Sequence, residues 1–316
     1  MYVSRIKIIA NSGNKLAEEL SSSLEELGYF IVDRKAEALV FFYPLGITVR
    51  RIQNTLREKL RDPVIISVTD DGSYVIPVIK EHWGGSFLGS IIADLLGSQL
   101  ILTSRTAQLG LYSVEEFAWI NALRIVNPKK ILEVEKRLIK EGTLKVYSQV
   151  RLQKVDGYEF VGDCKEADIV VGYECGDPEK LNMQPYSVMV GLGYSSNAPK
   201  EALYYSIKAT LKSIFISETR LDFIVVPEVK KDDQKIKEVA RTFNSSVIYV
   251  PVNDLRERKQ STPSEVARKY LGVDGVCEPS IEVLGGNLVL KRTRRAYGVV
   301  TCLGVKQITE GSGLQS

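Results

Sequence analysis

Tyr74-Val-Ile-Pro-Val-Ile79, Glu81-His-Trp-Gly-Gly85 and the stripe Leu88, Ile91, Ile92, Leu95 and Leu96 decide how this chain is read. The first is an unbroken apolar run and the last has the spacing of a helix face, so the segment predicts strand, glycine turn and helix. Gly84 and Gly85 carry no Cβ, and a helix start just beyond them leaves N–H donors that favour an anion. His82, the only histidine of the 316 residues, sits in that turn. An imidazole there could move a proton near neutral pH. The plainer alternative is a tight connection with a surface or core histidine.

Outward from this segment the same alternation repeats. Arg5 to Ala10 reads as a first strand, followed by a helix with Leu16, Leu20, Leu24 and Leu27 on one face and Gly28 at its end. Ala38 to Tyr43 reads as a buried strand, and Pro44-Leu-Gly46 turns into a helix carrying Val49, Ile52, Leu56 and Leu60, with Arg50 and Arg51 near its start. Pro63 to Val68 and Tyr74 to Ile79 flank Asp70-Asp71-Gly72, a hairpin signal, and Pro77 makes the second strand an edge or an irregular one. A strand at Leu100 to Thr103 and a helix from Val114 to Ile125 complete the unit. Alternation of this kind predicts α/β architecture with mainly parallel sheets. Ligands then sit at the carboxyl ends of strands, where Gly46 and the His82 turn are both expected.

From Pro128 the character changes. A charged helix over Ile131 to Glu141 leads into short strands at Leu144–Val150, Tyr158–Val161 and Ala167–Val171, with a linker from Glu174 to Tyr186. A second α/β unit begins at Ser187, with strands at Ser187–Gly191, Phe223–Val226 and Val247–Val250 and helices ending near Phe243 and Tyr270. Gly275 to Ser280 reads as a turn, a closing hairpin pairs Leu288–Lys291 with Val299–Leu303, and the polar tail after Gln307 is expected to be disordered. The expected organisation is an N-terminal α/β domain over 1–127, a small α+β connector over 128–185 and a C-terminal α/β domain over 186–316.

Composition narrows the class. Hydrophobic residues are 44% and charged residues 26%, an ordinary globular balance. No apolar run approaches the ~20 residues of a membrane helix, and charges interrupt the first apolar run, unlike a signal peptide. A cytoplasmic location and no membrane partner are expected. A net charge of +3 gives no ground for a nucleic-acid partner. Cys164, Cys175, Cys277 and Cys302 form no Cys-x-x-Cys pair, so no metal site is expected and the cysteines read as small core residues, not disulfides.

The remaining motifs are weaker. Gly191-Leu-Gly193 after a strand suggests a dinucleotide loop but lacks a third glycine and a convincing ribose-binding acid. No Gly-x-Ser-x-Gly elbow exists for a serine triad. Glu228 to Asp232 has the composition of a solvated helix start, and Glu278 reads as a carboxylate on a turn or at a helix N-terminus.

Taken together the pieces resemble one family. Gly46-Ile-Thr-Val-Arg50, Asp62-Pro63-Val64, Asp71-x-Gly, Val75-Ile76, His82-x-Gly-Gly85 and Ile92-Ala93-x-Leu95-Leu-Gly97 follow the order of the amino-terminal half of the cobalamin biosynthesis protein G family. Val190-Gly-Leu-Gly193, Lys230-Lys-Asp-Asp233, Leu271 to Pro279, and Leu288 to Lys291 followed by Val300-Thr301 are similar to its carboxyl half. The resemblance implies a cobalt-precorrin-5A hydrolase, which opens a δ-lactone on a cobalt-bearing macrocycle and releases acetaldehyde. It implies His82 and Glu278 as catalytic residues, and Gly46, Arg50, Gly84, Gly85, Gly191, Gly193, Lys230, Lys231 and Asp232 as contacts to an anionic cobalt-tetrapyrrole. No cofactor is expected, because the substrate brings its own cobalt. Another copy of the chain or another pathway enzyme is the expected protein partner.

The chain departs from the family pattern at several positions. Lys80-Glu81 stands for Ser-Gly, Ser86-Phe87 for Ala-Asn, Thr103-Ser-Arg-Thr-Ala107 for Thr-Thr-Ala-Thr-Asp, and Gly191 to Asn197 for a run with two arginines. These losses of polar groups keep a second reading open, a corrinoid-binding or carrier protein without catalysis. A Rossmann-type nucleotide-dependent enzyme is the third.

Overall fold

The computed structural model of the chain describes residues 2–58, 61–173, 175 and 177–308. They form two compact units. The first takes in residues up to Trp119 with Ile131–Leu144 and Val155–Tyr158; the second takes in Ile120–Lys130, Lys145–Lys154 and the chain from Glu159 on.

In chain order the first unit holds β1 (Arg5–Ile9), α1 (Lys15–Glu26), β2 (Phe30–Ile31), β3 (Ala38–Phe42), α2 (Leu45–Ile52), β4 (Val64–Val68), β5 (Tyr74–Ile79), α3 (Ser86–Leu96), β6 (Gln99–Leu100), α4 (Arg105–Gln108) and α5 (Val114–Ile120). After β7 (Leu123–Ile125), which belongs to the second unit, the chain returns for α6 (Ile131–Glu141). The sheet order is β2-β1-β3-β4-β5-β6, parallel at every pair except β4 with β5. Asp71 closes the hairpin between those two strands, accepting from Ser73 N at 3.0 Å and Thr69 Oγ1 at 2.6 Å. Pro77 lies opposite Ile66 at a register shift, so the ladder absorbs its missing N–H as an irregularity and β5 stays internal.

That hairpin has a consequence for the site. Phe42 pairs with Val68 and Val68 with Val75, whereas Ile65 pairs with Ile79. The end of β5 therefore lies beside the start of β4, not beside the end of β3. Gly46 and His82 thus stand at opposite ends of the sheet, contrary to the expectation that one edge carries both. The two register positions on β4 alone are roughly 10 Å apart.

The second unit continues with β8 (Leu144–Ser148), β9 (Tyr158–Phe160), β10 (Ile169–Val171), β11 (Leu181–Gly193), α7 (Lys200–Lys212), β12 (Leu221–Pro227), α8 (Gln234–Phe243), β13 (Ser246–Val250), α9 (Val252–Arg256), α10 (Glu265–Leu271), α11 (Cys277–Val283), β14 (Asn287–Arg294) and β15 (Val300–Gln307). Its sheet runs β13-β12-β11-β10-β8-β9, with β15, β14 and β7 joined through β11. β11 corrects the expected domain division. It runs through the boundary at 185/186, pairing with β10 and β7 before it and with β12 and β15 after it. One hydrogen-bonded strand cannot be a linker, and the 128–185 stretch is divided between the two units instead of forming a connector. Two other readings change: Val114 to Ile125 is a short helix followed by a strand, and Gly275 to Ser280 leads into helix α11. Of the polar tail after Gln307, only Ile308 is among the described residues.

The cysteines are paired, contrary to expectation. Cys277 bonds to Cys302, Cα atoms 5.8 Å apart, and Cys164 to Cys175, 6.3 Å apart. Gly191 stands opposite Cys302 in the β11/β15 ladder and its carbonyl oxygen lies 3.2 Å from Cys277 Sγ, which places both sulfurs in one buried layer. Among the described residues, no helix is long and apolar enough to cross a membrane.

Candidate functional site

The His82 turn is built from backbone strain held by packing. Lys80 enters it at φ 60, in the left-handed region, and its carbonyl accepts from Trp83 N at 3.0 Å and Gly85 N at 3.1 Å. The chain then winds through one wide π-type turn, Glu81–Gly85, into α3. Gly84 has φ 99, and a Cβ there would lie 2.5 Å from the Trp119 ring. A Cβ on Gly85 would meet the Lys80 carbonyl oxygen at 2.7 Å. The space left by both glycines is therefore filled by protein, and the Gly85 N–H expected to serve an oxyanion is donated to Lys80.

Two carboxylates fix the turn. Glu81 accepts from Thr103 N at 3.0 Å, Thr103 Oγ1 at 3.2 Å and Ser104 N at 3.2 Å. Partial burial opposes ionisation, but the hydrogen bonds from Ser104 and Thr103 outweigh it and hold this carboxyl below its usual value. Glu116 closes a capping box at the start of α5: Ser113 Oγ accepts from Glu116 N at 3.2 Å, and Ser113 N donates to Glu116 Oε2 at 2.8 Å. Ser86 Oγ donates to the other oxygen of Glu116. Glu81 and Ser86, two positions that differ from the family pattern, are thus the ones that tie the turn to its surroundings.

Against this frame His82 Nδ1 lies 3.9 Å from Glu116 Oε2. Among the described residues that buried atom has no hydrogen-bond partner, whereas the side chain as a whole is 25% exposed. Glu135, on α6, completes the group. Its Oε2 accepts from Val114 N at 3.1 Å. Burial first, then the charge of Glu115, push its carboxyl from 4.5 up to about 7; the Val114 N–H and His82 pull it down, and Glu116 adds to the rise. Tyr158, buried and donating to the Tyr112 carbonyl at 3.0 Å, is raised by burial and by the same three carboxylates. Such a set can bind and release a proton near neutrality. Sequence reading named only His82. Ser113-Val-Glu-Glu116 is a capping-box signature that could have exposed Glu116, while Glu135 stood in the supposed connector.

The other expected site residues lie elsewhere. Arg50 is exposed in the last turn of α2, not at its start, and belongs to the opposite end of the sheet from His82. Gly46 is in the first turn of that helix, open within 4 Å of its Cβ position. In the second unit Glu278 is buried in the first turn of α11 and accepts from Ser261 N at 2.7 Å, Ser261 Oγ at 2.6 Å and Arg292 N at 2.7 Å. All of its recorded donors hold one loop against β14, which is a structural latch. A Cβ on Gly191 would strike the Cys277 carbonyl at 2.5 Å and one on Gly193 would strike Val276 at 2.6 Å, so these glycines admit α11.

Lys230 does meet a partner. Its Nζ lies 4.4 Å above the Tyr194 ring, whose hydroxyl donates to Asp233 at 3.1 Å. Burial lowers the Lys230 ammonium below its usual value, Asp233 opposing. Lys231 and Asp232 are exposed beside it. These groups stand where β11 and β12 end in parallel, the usual ligand end of such a sheet. Among the described residues no group of three or more His, Cys, Asp or Glu is arranged to hold a metal ion.

Comparison with known proteins is consistent across both units. Residues 32–107 match the family described as "Cobalamin synthesis G N-terminal" and residues 188–303 the one described as "Cobalamin synthesis G C-terminus". The chain is 25% identical over 291 residues to a Methanocaldococcus jannaschii protein named "Probable cobalt-precorrin-5A hydrolase", covering 87% of this chain and 88% of that one. It is 23% identical to the cobalt-precorrin-5A hydrolase of Priestia megaterium (84% and 77% covered) and 24% to that of Salmonella typhimurium (85% and 82%). A crystal structure of a cobalamin biosynthesis protein G homolog from Sulfolobus solfataricus shares the fold, with TM-score 0.59 and 19% identity over 97% of this chain and 98% of that one. With its N-terminal and C-terminal parts both matched, the chain belongs to the cobalamin biosynthesis protein G family.

Proposed function

We propose that the chain acts in cobalamin biosynthesis as a cobalt-precorrin-5A hydrolase, with His82 as its proton carrier. The observation that carries this is the His82–Glu116 pair: a ring nitrogen buried 3.9 Å from a carboxylate that two serines hold in place, in a side chain that is 25% exposed. An imidazole oriented in this way can take a proton from water attacking the lactone carbonyl and return it to the ring oxygen that leaves. The freed alcohol can then give up its O–H proton as the carbon bearing it departs as acetaldehyde, the electrons of the broken C–C bond staying on the macrocycle carbon, which takes up a proton. The sum is substrate plus water giving opened product plus acetaldehyde. Within the second unit, Lys230 and Lys231 are cations suited to carboxylates of an anionic ligand.

A second reading, corrinoid binding without catalysis, is favoured by one observation. The Gly85 N–H that would have served an oxyanion already donates to Lys80. One experiment separates the two. Cobalt-precorrin-5A is incubated with the protein and acetaldehyde is trapped. Release that falls by ~10²–10⁴ in His82→Ala, with little rescue in His82→Gln, supports the hydrolase. Tight binding of the corrinoid with no acetaldehyde supports the carrier.

A further inference from the structure

Glu135 is on the packed side of α6. Ile131, Val134 and Leu138 are the buried positions of that helix, and Glu135 follows Ile131 by four residues on the same face. One oxygen is held by the Val114 N–H, and the other, Oε1, is buried without a hydrogen-bond partner among the described residues. Glu115 and Glu116 act on it from α5, His82 from the π turn and Tyr158 from β9. A carboxyl placed so can be neutral or charged with little rearrangement, because its single recorded donor is a backbone amide that either form accepts. What changes with its proton is the charge felt by His82.

We infer that Glu135 is a positioning residue of the His82 site, a buried carboxyl whose protonation sets how readily the imidazole takes up a proton. Its relevance to turnover rests on the hydrolase reading, but the electrostatic coupling does not. When Glu135 is neutral, the carboxylate beside His82 is the anchored Glu116. When Glu135 ionises, a further negative charge favours the imidazolium. The two groups therefore titrate as a pair, and each step is spread over a wider pH range than a lone group shows.

The chain makes the test simple, since His82 is the only histidine. Its ring C–H resonances can be followed by NMR from pH 5 to 9 without assignment. The titration midpoint is expected to fall by roughly one unit in Glu135→Gln, the scale of a nearby buried charge, and the curve should sharpen to a single step. Glu135→Asp keeps the charge and should stay near the wild-type midpoint. Equal shifts in Gln and Asp would mean that packing, not charge, is responsible, and an unchanged midpoint in Gln would remove the coupling; either overturns the inference. Should the variants fold poorly, the side-chain carboxyl carbons of the wild type, followed by carbon NMR, give a second reading. One of them must titrate in step with the histidine, and its absence is equally fatal. A shifted midpoint with full turnover in His82→Ala would retire the catalytic reading and leave the coupling intact.

Discussion

Replacing Glu135 by glutamine should make the first unit more stable at alkaline pH and leave it little changed in acid. The carboxyl is raised from 4.5 to about 7 in the folded chain, mainly by burial. Below the unfolded value both states hold the proton and the shift has no effect. Between 4.5 and about 7 the unfolded chain sheds its proton while the folded chain keeps it, so the native state loses stability as pH rises through the folded value. A difference of about 2.5 units at ~1.4 kcal/mol each sets an upper limit of about 3 kcal/mol, of which roughly 2 kcal/mol falls between pH 5 and pH 8. Glutamine never ionises, and its amide oxygen can still accept from Val114 N. The variant should therefore gain about 1–3 kcal/mol on the wild type across that interval. Urea unfolding followed by tryptophan fluorescence is the assay, because Trp83 and Trp119 are the chain's two tryptophans and both lie in the first unit. A variant displaced from the wild type by the same amount at both pH values would refute the reasoning.

Other outcomes follow from the same geometry. Gly84→Ala forces a side chain to φ 99 and to 2.5 Å from the Trp119 ring, and should lower stability by roughly 2–4 kcal/mol in the same fluorescence assay; wild-type stability would show that the turn relaxes freely. Glu278→Ala releases Ser261 and Arg292 and should cost about 1–3 kcal/mol while leaving acetaldehyde release per folded molecule intact. A hundredfold kinetic loss at unchanged stability would restore Glu278 as a catalytic group. Corrinoid affinity measured by visible absorption should weaken with salt, since Arg50 and Lys231 are exposed and screened over ~10 Å at 0.1 M; an affinity indifferent to salt would count against carboxylate clamping.

Much of this fold is written locally. The helix over Ile131 to Glu141 is found to the residue, because three apolar positions at helical spacing fix a short amphipathic helix. The Asp70-Asp71-Gly72 turn was equally plain. What the turn did to the layout of the site was not, because strand direction depends on long-range pairing. Placing both turns at the one ligand edge of a wholly parallel sheet brings Gly46, Arg50 and His82 together; the hairpin reverses β5 and separates them. The first half of β11 is hidden for another reason, its second half being the expected strand at Ser187–Gly191. Pro185 and the polar residues before it resemble a linker, yet Leu181, Met183 and Pro185 are buried and Asn182, Gln184 and Tyr186 are not, the alternation of a half-covered strand. Pro279 likewise suggested a turn, but it sits in the first turn of α11, where its missing N–H has no helical partner to lose.

The remaining question is whether the His82 turn is strained for packing or for chemistry. Lys80 and Gly84 hold positive φ within five residues, and a π turn spans them. The left-handed conformation of Lys80 costs on the order of 1–3 kcal/mol and persists only where the surroundings over-determine it, whereas Gly84 adopts its positive φ without a Cβ penalty. Here Glu81 pins the 103–104 loop, Trp119 fills the space over Gly84, and Glu116 is anchored by Ser86 and Ser113. A turn needed only to join β5 to α3 would not require its histidine to turn one nitrogen toward Glu116, beside a second carboxyl, Glu135, that burial pushes up to about 7. Burying such groups together opposes stability, whereas an acid–base centre gains from it, because proton affinity close to neutrality is what proton transfer needs. The proton chemistry proposed for His82 would account for the strain and the charge cluster together, whereas the packing reading accounts for the strain alone.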